Sequence, residues 1–212
     1  MAALSPDKAL IFRITHIANV PWILANGLHC QSSVVSDPAH IGIGNASLIN
    51  KRQHRVVPIA PGGTLADYVP FYFTPFSPML YNIKTGRNGV TQRPMAEIAI
   101  LVTSLLTLRD NGIAFVFTDM HAFLEYATFS SDLAALGDLA WPAWVARDFR
   151  RDPDNPAKFD RYQAEALAHQ HVPVGALKGI ICNGPAQEAS LKKLVQNAAV
   201  NLDVHSKPDW YV

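Results

Sequence analysis

In FDRYQAEALAHQ, residues 159–170, an amide and a carboxylate stand two residues apart, Gln163 and Glu165. On a β-strand that spacing puts both on one face. There the amide could donate to a sugar's hydroxyls while the carboxylate accepts from them. A lone carboxylate has other uses: a solvated charge, the buried partner of an arginine, or the centre of a reaction. Spacing alone does not choose among them. His169 and His171 are also two apart and could offer two nitrogens to a metal, but no third ligand is evident, so no metal is expected. The Gly-x-Gly-x-x-Gly, Gly-Lys-Ser/Thr phosphate-loop, Gly-x-Ser-x-Gly and His-Glu-x-x-His patterns are all missing.

A second chemical feature is a basic tract. Between Asp37 and Glu97 the only acid is Asp67, against Lys51, Arg52, Arg55, Lys84, Arg87 and Arg93. Six cations against one acid leave +5 there, so the rest of a chain of net charge +1 carries −4. Such a tract suits a polyanion or a phosphorylated cofactor, or else a solvated face whose arginines pair with acids distant in sequence. Aromatic residues follow the same ambiguity. Tyr68, Phe71, Tyr72 and Phe73, and farther on Tyr126, Phe129, Trp144 and Phe149, can pack a core or present faces on which bases stack.

A chain of 212 residues, 49% hydrophobic and only 17% charged, buries enough to fold, and one domain over 1–212 is expected. Cys30 and Cys182 lack metal-type spacing and suggest no disulfide framework. No apolar run approaches the roughly 20 residues of a membrane span, and the first residues lack a secretory signal. A soluble, cytoplasmic protein without a membrane partner is therefore expected.

The elements that must position these groups follow from periodicity and punctuation. Residues 9–17 predict a strand, and the stretch after it a short helix begun at Pro21 and closed by Gly27. Residues 31–49 are rich in Ser, Gly, Asn and Pro without a period, as functional or mobile loops are. Prolines in 61–80 limit the strands there to edges or ends. The run 96–108 predicts a buried strand turning into a helix that ends near Gly112, with a further strand at 113–119. Residues 121–163 alternate helical pieces with a charged turn at 152–157. AEALAHQHV and GIICN predict strands, 185–200 a helix, and NLDVHS a last strand. An α+β domain with mainly antiparallel sheets is the expected class.

Six segments, in order, carry a family resemblance: RITHI at 13–17 with Asn19, NKRQHR holding Arg52, GGTLADYVPFYFTPFSPMLY at 62–81, FVFTDMHA at 115–122, RYQAEAL at 161–167 and the closing DWYV. From about residue 9 to the end the chain resembles DarT, the toxin family of DarTG toxin–antitoxin pairs, and within it the DarT2 branch. The resemblance implies an ADP-ribosyltransferase fold of two small, mainly antiparallel β-sheets packed together with peripheral helices, and NAD, with no metal, in the cleft between them. It also implies transfer of ADP-ribose to a base of single-stranded DNA, thymine in this branch. Replication would be blocked, with a possible place in antiphage defence. A DarG-type macrodomain antitoxin is the implied partner.

Site residues follow from the same resemblance. Arg13, Ile14, Thr15, His16 and Asn19 would hold the nicotinamide part of NAD, with Trp22, Cys30 and Tyr72 near it. Residues from about 34 to 52 would form the NAD-binding element, ending on Arg52. Residues from about 113 to 165 would form the substrate-recognition loop, with His121, Tyr126, Arg147, Arg150 and Arg151 toward DNA, leading to the catalytic Glu165. Arg13 stands where some relatives carry histidine. The family assigns the arginine matching Arg52 as proton acceptor. A guanidinium with a pKa above about 12 is ordinarily a donor only, and electrostatic stabilisation of a deprotonating base is the easier chemistry. Two other readings are a nucleic-acid-binding module that has lost catalysis, which intact Arg52 and Glu165 disfavour, and a transferase acting on guanine, RNA or protein.

Overall fold

A computed structural model of the chain describes residues 4–211. Its elements run β1 (Leu10–His16), α1 (Val20–Asn26), β2 (Leu28–His29), α2 (Ala46–Arg52), β3 (Tyr68–Tyr72), α3 (Pro78–Thr85), β4 (Ile98–Ser104) and α4 (Leu105–Asp110). There follow β5 (Phe115–Thr118), β6 (Phe129–Ser130), α5 (Trp141–Val145), α6 (Lys158–Tyr162), β7 (Glu165–His169), β8 (His171–Val172), β9 (Gly179–Cys182), α7 (Pro185–Asn197) and β10 (Asp203–Ser206). Eight strands join in the order β10-β9-β4-β1-β3-β7-β5-β6, and β2 pairs β8 in a small ribbon. Among the described residues only β9 and β10 run parallel. The α+β expectation holds.

The eight strands divide into two groups of four. β1 pairs with β4 along its whole length, from Leu10↔Ser104 to His16↔Ile98, and β3 pairs with β7 from Tyr68↔His169 to Tyr72↔Glu165. Between the groups, β1 and β3 share one register pair, Phe12↔Tyr72. The two small sheets expected from the sequence are thus halves joined at a seam. Both contribute to one core: Ile11, Ala99, Leu101 and Ile180 from one half meet Phe71, Phe73, Phe117, Ala166 and Ala168 from the other. On the opposite face Phe12, Ile98 and Ile100 form a second core with Trp210 and Tyr211, while Tyr68, Leu167 and Val116 form a third with Val57 and Leu65. Alternation along each strand, period two, sorts side chains into these cores.

Several expectations change. Pro70 was placed on an edge or strand end, yet lies in the middle of β3, an interior strand. The missing N–H is harmless because that side of Pro70 faces the seam, and its carbonyl there accepts from Arg13 Nη1 at 2.9 Å. Within 31–49, read as irregular, the last residues belong to α2, started by Asn45, whose side chain accepts from Leu48 N at 3.0 Å. Gln163 is not in β7: it caps the C-terminus of α6 and donates to Phe159 O, so it does not pair with Glu165 on a strand face. Gln170, at φ 59°, reverses the chain between His169 and His171. His169 therefore packs on Tyr68 and His171 on His29, instead of sharing a face. Gly27 closes α1 as expected: its φ is 79°, and a Cβ there would lie 2.6 Å from Val172 O.

Candidate active site

Glu165 opens β7 directly opposite Tyr72 of β3, and strand alternation puts both on the face away from the core that holds Ala164, Ala166 and Ala168. Its backbone N–H donates to Thr118 Oγ1 of β5 at 3.1 Å, so neighbours on both sides fix the residue. The carboxylate is 4% exposed. An isolated charge at that depth is costly, and three donors offset the cost. Arg52 Nη1 and Nη2 reach Oε1 and Oε2 at 2.9 and 2.8 Å, and Ala122 N reaches Oε1 at 3.1 Å. Burial alone would raise the carboxyl's pKa. The Arg52 guanidinium, His121 and the Ala122 amide together hold it below its ordinary value. For Arg52 burial opposes the charge, while Glu165 more than restores it and keeps the guanidinium protonated. The basic tract's bland alternative, arginines paired with distant acids, is thus realised at this position, in a buried fork and not on a solvated face.

Around this pair stand three more polar groups. His121 Nδ1 lies 3.4 Å from Glu165 Oε1 and accepts from Phe123 N at 3.2 Å, so the neutral ring carries its proton on Nε2. Burial, only partly countered by Glu165, lowers its pKa and favours that neutral form. Burial likewise pushes the Tyr72 phenol up, with Glu165 adding to the effect, so it remains a neutral donor. Arg13 spans the seam to Pro70 O, and no other protein acceptor among the described residues takes its remaining N–H groups. Desolvation, with Arg52 nearby, lowers it to about 10, still cationic at neutral pH. Beside it His40 is held below its ordinary value by burial and by Arg13.

The rest of the RITHI strand divides between faces. Ile14 packs against the second core with Phe12, and His16 caps the turn after β1, accepting from Ala18 N at 3.1 Å with Nε2 3.3 Å from Glu97. Thr15 and Asn19 are buried together at 3.2 Å. The Asn19 amide clasps the backbone of Ile41, donating to its carbonyl at 3.0 Å and accepting from its N–H at 2.9 Å. Asn19 thereby docks the 34–52 segment onto β1. Trp22 and Cys30 do not join the Arg52–Glu165 cluster. Trp22 meets His29 edge to face, and Cys30, buried in the first core, hydrogen-bonds through its N–H to Gln170 O, beyond the far end of β7.

Of the side chains assigned toward DNA, only His121 contacts the carboxylate. Tyr126 is 62% exposed and donates to Asp160. Arg147 lies 3.6 Å over the Phe76 ring and bonds Asp209 O, Arg150 pairs with Asp148, and Arg151 covers Phe159. Trp144 and Phe129 are core residues: Trp144 stacks on Phe73 at 5.2 Å and donates to Tyr162 O. Much of 113–165 is thus packed structure around a short turn at 121–125. Sequence reasoning missed the Ala122 N–H, which has no side-chain signal, and the part played by Arg55, which had been counted only as charge.

No group of three metal-ligating side chains occurs, and no helix is long and apolar enough to cross a membrane, among the described residues. Comparison with known proteins gives specific matches. A family model described as ssDNA thymidine ADP-ribosyltransferase, DarT, matches residues 12–212. A DNA ADP-ribosyl transferase of Escherichia coli O127:H6 is 51% identical over 210 residues, covering 99% of this chain and 96% of its own length. The structure of Thermus sp. 2.9 DarT in complex with ADP-ribosylated ssDNA superposes with a TM-score of 0.89 at 32% identity, over 98% of both chains. The same Thermus protein in complex with NAD+ gives a TM-score of 0.84 at 32% identity, over 98% of this chain and 99% of that one.

Proposed function

This chain belongs to the DarT family, and on that premise we propose that it transfers ADP-ribose from NAD to a thymine of single-stranded DNA, with Glu165 and Arg52 as the reactive pair. It is an NAD-dependent DNA ADP-ribosyltransferase. The observation that carries the residue roles is the bidentate Arg52–Glu165 contact, buried beside Arg13, Tyr72 and His121. Arg13 suits a phosphorylated dinucleotide, since it is a desolvated cation whose donors are largely unused by the protein.

NAD supplies an ADP-ribosyl group whose bond to nicotinamide breaks with positive charge developing on the ribose. Glu165, kept anionic and oriented by its three donors, stabilises that charge more than it stabilises the ground state. Arg52 stays protonated at any working pH, so its task is to donate. The acceptor base forms its bond to the ribose carbon as nicotinamide departs neutral and gives up its ring proton to water, and the guanidinium stabilises the negative charge that appears on the base. Tyr72 on β3 and His121 in the 121–125 turn add neutral polar groups from two other elements. A base must leave the stack to enter such a buried site, which favours a single strand.

In the cell this chemistry fits a toxin, and the partner we propose is a DarG-type macrodomain protein that removes the modification. Antiphage defence is a further role consistent with blocked replication. Incubating the protein with labelled NAD and matched single-stranded DNA, double-stranded DNA, RNA and protein tests the proposal. Label is expected on single-stranded DNA alone, absent from an oligonucleotide without thymine, and located on one base by mass spectrometry. Label on protein or RNA alone overturns it, and transfer to thymine-free DNA overturns the choice of base.

A further inference from the structure

Arg55 has no task in the reaction described above, yet its contacts join both members of the reactive pair. It follows α2 by three residues, and its N–H donates to the carbonyl of Arg52 at 3.2 Å while its own carbonyl accepts from Leu65 N at 2.9 Å. Its half-buried side chain crosses to a loop distant in sequence. Nη2 donates to Leu124 O at 2.9 Å and to Glu125 O at 3.2 Å, and Nε reaches Ala122 O at 3.5 Å. The guanidinium also sits 5.9 Å from the Phe129 ring centroid, within cation–π range.

The loop so held is the one that faces the carboxylate. Ala122 N donates to Glu165 Oε1, and His121 Nδ1 approaches the same oxygen. Within the loop the contacts are local: Phe123 N to His121 Nδ1, and Leu124 N to His121 O at 3.0 Å. Outside it, His121 N donates to Asp160 O at 3.0 Å. Three carbonyls of one turn converge on a single planar fork, an acceptor array that a guanidinium satisfies and a point-charge ammonium satisfies only in part.

We infer that Arg55 is a positioning residue that clamps the end of the Arg52-bearing helix to the 121–125 turn, keeping the Ala122 N–H and His121 on the Glu165 carboxylate. The inference rests on Glu165 and Arg52 being the reactive pair. It assigns Arg55 no contact with substrate. Its effect travels through Ala122 on one side and through the backbone at Arg52 on the other.

The experiment compares Arg55→Ala and Arg55→Lys with the parent enzyme, reading kcat, KM for NAD, the pH profile and amide exchange over 121–125. Arg55→Ala is expected to lower kcat on the order of 100-fold, as small misplacements in a site do. KM for NAD should stay within about 3-fold, because binding common to ground and transition states is untouched. The acid limb should move to higher pH, since Glu165 loses one of the donors that depress it. Arg52 from α2, Tyr72 from β3, and His121 with the Ala122 amide from the turn are the groups that face the carboxylate, and the variant loosens those of the turn. Amides in 121–125 should exchange faster, and Arg55→Lys should recover part of kcat. A fall in activity that tracks the folded fraction, with the acid limb in place, reduces Arg55 to a structural residue and overturns the inference. So does Arg55→Ala with full kcat beside an inactive Glu165→Gln. Full turnover by Glu165→Gln would instead remove the underlying reading, and it is seen independently of Arg55.

Discussion

Glu165 reaches the site from the first residue of β7, paired with β3 on one side and bonded to Thr118 of β5 on the other. Arg52 reaches it from the last residue of α2, a helix of seven residues whose most covered side chain is Arg52 itself and which adds none to the cores. The carboxylate is positioned by the sheet, where ladder bonds and three cores fix the backbone. The guanidinium is positioned by separate polar tethers: Asn19 on Ile41, Asn45 on Asn88 O at 2.7 Å, and the contacts of Arg52 and Arg55 themselves. The difference shows how rigidity is divided in this enzyme. One partner depends on burial, whose loss unfolds the domain, and the other on a few hydrogen bonds, each worth about 1 kcal/mol net.

The largest expected effect lies on the sheet-borne side. Glu165→Gln keeps shape and removes charge, and transfer of label to single-stranded DNA should fall on the order of 1000-fold, with NAD binding by calorimetry changed far less. Next is Arg52→Lys, which keeps the charge and loses the fork. A loss of about 100-fold in the same assay is expected, and full activity would show that the guanidinium geometry is immaterial. A milder effect is expected from Asn19→Ala, which unclasps Ile41 without touching Glu165. KM for NAD should rise roughly tenfold, the equivalent of about 1.4 kcal/mol, with kcat nearly kept and exchange faster near residue 41. If kcat fell instead, the 34–52 segment would be held as firmly as the sheet and the contrast would fail.

The smallest effect is on stability against pH. Burial lowers the pKa of His121 in the folded state, so below about 6.5 the unfolded chain binds more protons and stability declines first there. Glu165 is depressed, so its contribution is complete above its ordinary 4.5 and disappears as pH falls through the lower folded value. Urea unfolding at pH 7, 5.5 and 3.5 should give that two-step decline, and Glu165→Gln should shrink the second step, the rest of which belongs to Asp67, Asp148 and Glu188, also held below their ordinary values by hydrogen bonds. An unchanged second step would mean that other carboxylates carry it.

The sheet side was also the more legible in sequence. Strong period and β-branched content marked β1, β4 and β9, and Gly27 and Pro185 punctuated α1 and α7 where the structure has them. Local signals failed where tertiary contacts decide. Pro70 is tolerated mid-sheet because the seam removes its partner. α2 carries no apolar stripe, since it adds no residue to the cores, so its residues read as loop. Trp144 and Phe129 were open between base stacking and core, and only their neighbours, Phe73 and the third core, decide for packing. Glu165 and Arg52 were reached through a resemblance, because their meeting across 113 residues leaves no spacing to read.

A helix that adds no residue to the cores yet ends on Arg52 separates, on the proposed roles, what the protein does from what keeps it folded. Displacing or cutting the segment before α2 would be expected to part the guanidinium from its carboxylate while the sheet keeps its cores. Harm and foldedness are therefore separable properties of the chain. An inert copy of it would differ from the active one in the anchorage of a single short segment.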